Sequence, residues 1–261
     1  MISIRFLMII MATVLVTGCA SMQQSSPQDG RGSTFGTGEN RRAAEVNTEL
    51  GVGYFKRGYI ELAVEKLERA LKFDPSYGPA HHAYALVQEQ LGQSDVALRH
   101  FEHAVALMPR NPEVQNNFGV FLCSQKQYDR AQKAFRDALA VPLYRTPEFA
   151  YTNSGLCYQQ QGDYAAAVTA FQRALELRPT YGPAMLELAR SYFQLGDFQS
   201  AAEAMKRYED QHRHSADSLK LAIQIDEAVG DREALASHEL ILRGLFPDSP
   251  EARWLEERRG Q

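Results

Sequence analysis

Three cysteines and seven histidines are the side chains here with the most chemistry of their own. Cys19 closes the run Val16-Thr17-Gly18-Cys19 directly behind a short apolar stretch. Ahead of it stand one positive charge, Arg5, and an uncharged segment from Phe6 to Val16. That segment is too short to span a hydrocarbon core of roughly 30 Å and fits the apolar region of a secretory signal. With small Gly18 just before it, Cys19 reads as a cleavage site whose thiol then carries acyl chains. Ordinary secretion with an incidental cysteine is the plainer alternative.

A secreted chain reaches a compartment where thiols oxidise, and lipidation of Cys19 leaves an even pair, Cys123 and Cys157. They stand 34 residues apart. Either a disulfide or two buried free thiols fits that spacing. The histidines offer less: His81 and His82 are consecutive and point to different faces of a helix, and His100 and His103 lack an adjacent Cys or carboxylate set. No metal site is predicted. There is no Gly-rich phosphate loop, nucleophile elbow or His-Glu-x-x-His motif, so no catalytic residue, cofactor or small-molecule substrate is expected. A formal net charge of −4 gives no electrostatic footprint for nucleic acid.

The elements that position these residues follow from internal repetition. After a tether over 19–43, rich in Ser, Gln, Gly and Thr and expected to be disordered, a 34-residue period sets in. Small residues recur in the first half of each unit, at Gly51, Gly119, Gly155 and Ala189. The second half carries Ala63, Leu67 and Ala70, then Ala97, Phe101 and Ala104, Ala131, Phe135 and Ala138, and Ala167, Phe171 and Ala174. Pro75, Pro109, Pro179 and Pro247 end units, since proline cannot continue a helix. Gly58, Gly92, Gly162, Gly196 and Gly230 fall where a first helix should end in a left-handed cap. Units start near Ala44, Gly78, Pro112, Glu148, Gly182 and Ala216, and the third is two residues longer, at Pro142 to Pro147. The echo of Tyr77-Gly-Pro-Ala80 in Tyr181-Gly-Pro-Ala184, 104 positions on, fits two periods of 34 and one of 36. The last two units are degenerate, as an end of a stack should be.

This pattern resembles the tetratricopeptide repeat. The resemblance implies an all-α fold, a right-handed α-solenoid of six repeats over 44–249, each an antiparallel helix pair; the residues themselves assign 1–18 to the signal peptide and 250–261 to a capping segment. It also implies that first helices line a concave groove. The lining positions here include Val52, Phe55, His82, Leu86, Asn116, Val120, Phe149, Leu156 and Phe193. Such a floor, apolar with a polar fringe, suits an amphipathic or extended peptide unless neighbouring helices cover it. Asn117 and Asn153 occupy one place in adjacent units, where they can form a polar ladder to a ligand or bond between helices. Cys123 and Cys157 fall on consecutive first helices, close enough for a disulfide only if both face the shared seam.

Signal, tether and six repeats together are similar to the PilW (PilF) family of type IV pilus biogenesis lipoproteins, the pilotins. The residues that carry this are Asn47 to Gly58, Asn116 to Cys123, the insertion and the cysteine pair. Ala20 after Cys19 resembles outer-membrane lipoproteins. The resemblance implies a periplasm-facing scaffold, held on the outer membrane by acyl chains, that binds a secretin subunit and promotes its localisation and multimerisation. A different periplasmic scaffold of the same fold, such as an adaptor for peptidoglycan enzymes or outer-membrane protein assembly, is the alternative.

Overall fold

The computed structural model describes residues 38–259, with the side chain of the last left aside. The signal peptide, Cys19 and the tether up to residue 37 lie outside the described residues. Among the described residues the chain forms thirteen helices and no strand. Six pairs succeed one another: α1 (Gly38–Lys56) with α2 (Ile60–Phe73), α3 (Gly78–Gln90) with α4 (Ser94–Leu107), α5 (Pro112–Ser124) with α6 (Tyr128–Leu139), α7 (Pro147–Gln161) with α8 (Tyr164–Leu177), α9 (Gly182–Gln194) with α10 (Phe198–Glu209), and α11 (Ala216–Val229) with α12 (Arg232–Leu245). A single helix, α13 (Pro250–Arg259), follows. None is long and apolar enough to cross a membrane.

The crossing within a pair explains the residue types. A Cβ added at Gly119 would stand 2.6 Å from the Phe135 ring, and one at Gly155 would stand 2.6 Å from Phe171. Glycine therefore admits an aromatic ring at the point of closest approach. Phe101, Phe135 and Phe171 are all but fully buried, and Ala97, Ala104, Ala131, Ala138, Ala167 and Ala174 have no exposed surface. Between pairs, each second helix packs on the next first helix, α2 on α3, α4 on α5, α6 on α7, α8 on α9 and α10 on α11. First helices also touch one another, α1 on α3, α5 on α7, α7 on α9 and α9 on α11. A repeating unit thus has no complete core until its neighbour arrives.

Both ends depart from the repeat. The tether was expected to stay irregular to residue 43, but α1 starts at Gly38. The extra turn is held by Arg41, whose Nε lies 2.8 Å from Oδ2 of buried Asp74 and whose guanidinium sits 5.0 Å over the Tyr77 ring. At the other end, Ala252 and Leu255 of α13 close over Leu219, Ile223 and Leu242. Trp254 packs at the edge of that face between Lys220 and Arg258.

The turns after the first helices are nearly uniform. Gly58, Gly92, Gly162, Gly196 and Gly230 all have φ between +71° and +87°, while the third unit places Lys126 there at φ 59°. A side chain in that region costs about 1–2 kcal/mol, partly offset by the extra freedom glycine has in the unfolded chain. Lys126→Gly should raise the free energy of unfolding by about 0.5–1 kcal/mol. Urea denaturation of variant and parent measures this, and an unchanged midpoint would mean that the turn is not strained.

Candidate functional site

The inner face is built by first helices, because only they contact one another along the stack. Its ninth-position row runs Val52, Leu86, Val120 and Leu156, and Arg190 takes the same place in the fifth unit. Val52, Leu86 and Leu156 are half-buried, with their inner sides against the core. Val120 is 40% exposed. Phe55 and Phe193 are half-buried, the latter ring 5.5 Å from that of Phe198, and Phe149 is 37% exposed with its ring 5.5 Å from Tyr181. A pocket of about 410 Å³ opens beside Leu156, lined also by Thr152, Leu186 and Pro183 and bounded by Tyr208 and His212. The hollow is therefore partly filled by its own side chains and still presents aliphatic and aromatic surface. A larger concavity of about 530 Å³ between α8, α9 and α10 includes Gln172, Glu176, Glu203 and Arg207 in its lining and suits an apolar peptide less well.

Polar groups on this face are engaged within the stack. Asn117 Nδ2 donates to His82 Nε2 at 3.0 Å, joining α5 to α3. Asn153 Nδ2 donates to Asn116 Oδ1 at 3.0 Å, joining α7 to α5. Gln159 Nε2 donates to Ser191 Oγ at 2.9 Å, and Arg190 pairs with Asp217 at 2.6 Å, which extends the series to α9 and α11. Of the two roles open to the asparagines, the structure displays the bond between helices. Asn116 is buried and His82 half-buried, so the side chain of Asn116 is not offered to solvent. Gln159 and Arg190 belong to this series, and their roles are visible only once the helices are stacked.

Cys123 and Cys157 meet on the α5–α7 seam with Cα atoms 5.8 Å apart and sulfur on sulfur, both side chains being buried. The histidines assemble into groups the sequence does not announce. His81, His100 and His103 cluster at the α3–α4 crossing, with the His81 ring 5.0 and 4.9 Å from the other two. His214 and His238 converge on Glu209, their Nε2 atoms 3.8 and 3.3 Å from its Oε1. Hydrogen bonding to Asp226 and Glu209 pushes His238 up to about 9, whereas burial lowers His214. The expectation of no metal set rested on His81, His82, His100 and His103; Glu209, His214 and His238 come from two helices and a loop and share no short motif. The sequence sign is His214 and His238 in two units that lack a Phe at the crossing position.

Helix pairs stacked through small-on-large crossings, with an apolar inner face and a polar ladder behind it, define a tetratricopeptide-repeat scaffold. Models of the tetratricopeptide repeat match residues 122–182 and 158–223. The type IV pilus assembly protein PilF of Pseudomonas aeruginosa is 30% identical over 250 residues, covering 95% of this chain and 96% of that one. The crystal structure of PilW, a widely conserved type IV pilus biogenesis factor, superposes with a TM-score of 0.75 at 31% identity, over 81% of this chain and 97% of its own. The structure of Pseudomonas aeruginosa PilF gives 0.72 at 30% identity, over 84% and 99%. The chain belongs to the PilF/PilW family. It is a tetratricopeptide protein of type IV pilus biogenesis, a scaffold rather than an enzyme.

Burial holds His82 down to about 4, and His100 falls to about 4 through burial and the nearby His81, His103 and Arg99. Protonating His82 would also remove the acceptor that Asn117 uses. In the unfolded chain both rings take protons from the ordinary value of 6.5 downward. Their contribution is therefore complete above 6.5 and is lost as pH falls toward 4. Urea midpoints should drop between pH 7 and pH 5, and His82→Gln should flatten that dependence; a slope equal to the parent's would remove His82 from the account.

Proposed function

We propose that this protein is a pilotin: an acylated scaffold on the periplasmic side of the outer membrane that grips a secretin subunit of the pilus machinery and promotes its localisation and multimerisation. Family membership across 95% of the chain carries this reading, because it ties the whole scaffold to pilus assembly. The aliphatic row supports a peptide grip, since exposed apolar surface over several units costs solubility unless a partner covers it. Main-chain and side-chain features of the partner would enter from the Val120, Phe149 and Leu156 side, where exposure is greatest and the pocket opens. Residues 1–18 are taken as the signal and Cys19 as the acylated residue. The remaining N-terminal stretch acts as a leash, and the repeats over 44–249 and the cap over 250–261 act as one binding body.

The neighbouring Cys123 and Cys157 are taken as a disulfide that locks units three and four beside the insertion. Closing that loop would contribute about 2–4 kcal/mol, mainly by restricting the unfolded chain. The lock would hold Val120 and Leu156, which flank it on α5 and α7, in fixed relation.

Two experiments test the reading at separate points. Cys19→Ser should shift the protein out of the outer-membrane fraction and reduce secretin multimers, because stable residence needs covalently attached chains. Unchanged fractionation would overturn the anchor. Val120→Glu and Leu156→Glu should cut secretin capture at least tenfold while the helical circular dichroism stays at the parent's level. Val120 is exposed and safe for folding, so capture by V120E equal to the parent's would overturn the groove.

A further inference from the structure

We propose that His214, His238 and Glu209 form a binding site for a divalent transition-metal ion, zinc above all, that ties the fifth helix pair to the sixth. Each imidazole is held by its Nδ1 and presents its Nε2 to the same point. His238 Nδ1 lies 2.7 Å from Asp226 Oδ2 on α11, and His214 Nδ1 lies 3.3 Å from Ser218 Oγ. Ser218 Oγ in turn donates to the Ser215 carbonyl, which leaves it to accept from His214 Nδ1–H. These contacts aim both Nε2 atoms at one point, where a bound ion would take the place of the proton now shared between His238 Nε2 and Glu209, and a carboxylate behind a ligating imidazole is a frequent metal-site arrangement.

The third donor, Glu209 Oε1, is sealed from solvent without a well-aligned hydrogen bond. It stands 3.8 Å from His214 Nε2 and 3.3 Å from His238 Nε2, and all three donor atoms lie within 4.8 Å of one another. Bonds of about 2.0–2.1 Å in a tetrahedral site put ligand atoms about 3.3 Å apart, so small side-chain shifts complete the geometry. Two nitrogens and one carboxylate oxygen suit zinc better than calcium or magnesium, which prefer oxygen sets. A fourth position stays open to water or to a partner's carboxylate. The site is reachable, with side-chain exposures of 25% for Glu209, 16% for His214 and 13% for His238.

Placement gives the site a role. Glu209 ends α10, His214 lies in the loop before α11, and His238 is on α12, a helix that otherwise packs on α11 and α13. A bound ion would therefore join α10 to α12 across units whose helix crossings lack the phenylalanine of units two to four. The second histidine group is a poorer candidate. His81 Nε2 lies 3.0 Å from the Pro75 carbonyl, its Nδ1 lies 3.1 Å from His100 Nδ1, and the three rings bring no carboxylate with them.

The test titrates zinc chloride into the full chain, purified in detergent after chelator treatment, by calorimetry and by thermal melting. One ion per chain and a raised melting temperature are expected. His214→Ala and Glu209→Gln should each weaken binding at least tenfold and abolish the melting shift. Asp226→Asn should weaken it about 10–100-fold through its effect on His238. Cobalt in place of zinc should give the intense visible bands of a four-coordinate site. His100→Ala with His103→Ala should leave zinc binding and its melting shift unchanged and serves as the control for histidines outside the site. Failure of the parent to bind, equal binding by the His214 and Glu209 variants, or loss of binding in the His100/His103 variant would each overturn the proposal. Circular dichroism of every variant confirms that a lost site is not a lost fold.

Discussion

The close approach of each first helix to its second is the constraint on which the rest depends. At that crossing one side must be small and the other large. Gly51 meets Leu67, Gly119 meets Phe135 and Gly155 meets Phe171, each at a distance that excludes a β-carbon without displacement. Ala85 stands opposite Phe101 and Ala189 opposite Met205 at the equivalent places of units two and five. Bringing the backbones together here buries an aromatic or long aliphatic side chain at low cost in volume. It also fixes the rotation of each helix about its axis. Once that rotation is fixed, positions five, nine and twelve of the first helix must face inward in every unit, so the groove is a consequence of the crossing.

Stacking needs a second specification, since apolar faces alone permit sliding. The hydrogen bonds His82–Asn117, Asn116–Asn153 and Gln159–Ser191, followed by the Arg190–Asp217 ion pair, occur one per junction from α3 to α11. Each is directional, and a helix that slipped by a turn would leave these groups unpaired at a cost of about 1–3 kcal/mol per buried group. The ladder therefore sets register where hydrophobic contact sets only proximity. It also explains the chemistry left for a partner. With polar side chains paired along the stack, Val120, Phe149 and Leu156 supply much of the remaining inner surface. A partner would meet that face through shape and apolar contact.

Periodicity made the pairs legible, because a 34-residue recurrence of small and large residues is a direct image of the crossing. Glycine at five of six turn positions, and the prolines after second helices, placed the helix ends for the same reason. The early start of α1 was not legible. It depends on Arg41 reaching Asp74 and Tyr77 in the loop after α2, a contact over some thirty residues that no local composition records, and local composition argued for a polar tether. Of the inner residues, those expected from the repeat do lie on the first helices, but the split between half-covered Leu86 and exposed Val120 depends on neighbouring helices. Sequence spacing placed Asn117 and Asn153 correctly in register and left their partners open, because a side-chain amide bonds whatever the stack brings within 3 Å. The His214, His238 and Glu209 cluster was out of reach of any spacing rule, since a loop, the end of α10 and the middle of α12 bring it together.

The sixth pair shows what happens when the crossing rule lapses. At the positions where other units set small against large, it has Ile223 and Glu239, and Ile223 is fully buried while Glu239 approaches Arg243 at 3.7 Å. An isoleucine facing a carboxylate cannot draw two backbones together as glycine facing phenylalanine does. This unit must be held by other means, and the structure supplies two. One is the α13 cap, whose Leu255 and Ala252 complete the core around Leu219 and Leu242. The other is the polar contact of His238 with Asp226 and Glu209, which reaches back past α11 to the end of α10. In a repeat array each interface adds its own share of stability, so the terminal unit, with one neighbour instead of two, opens most easily. The end of this stack has therefore replaced packing by directional and charged contacts at the place where packing had the least to offer.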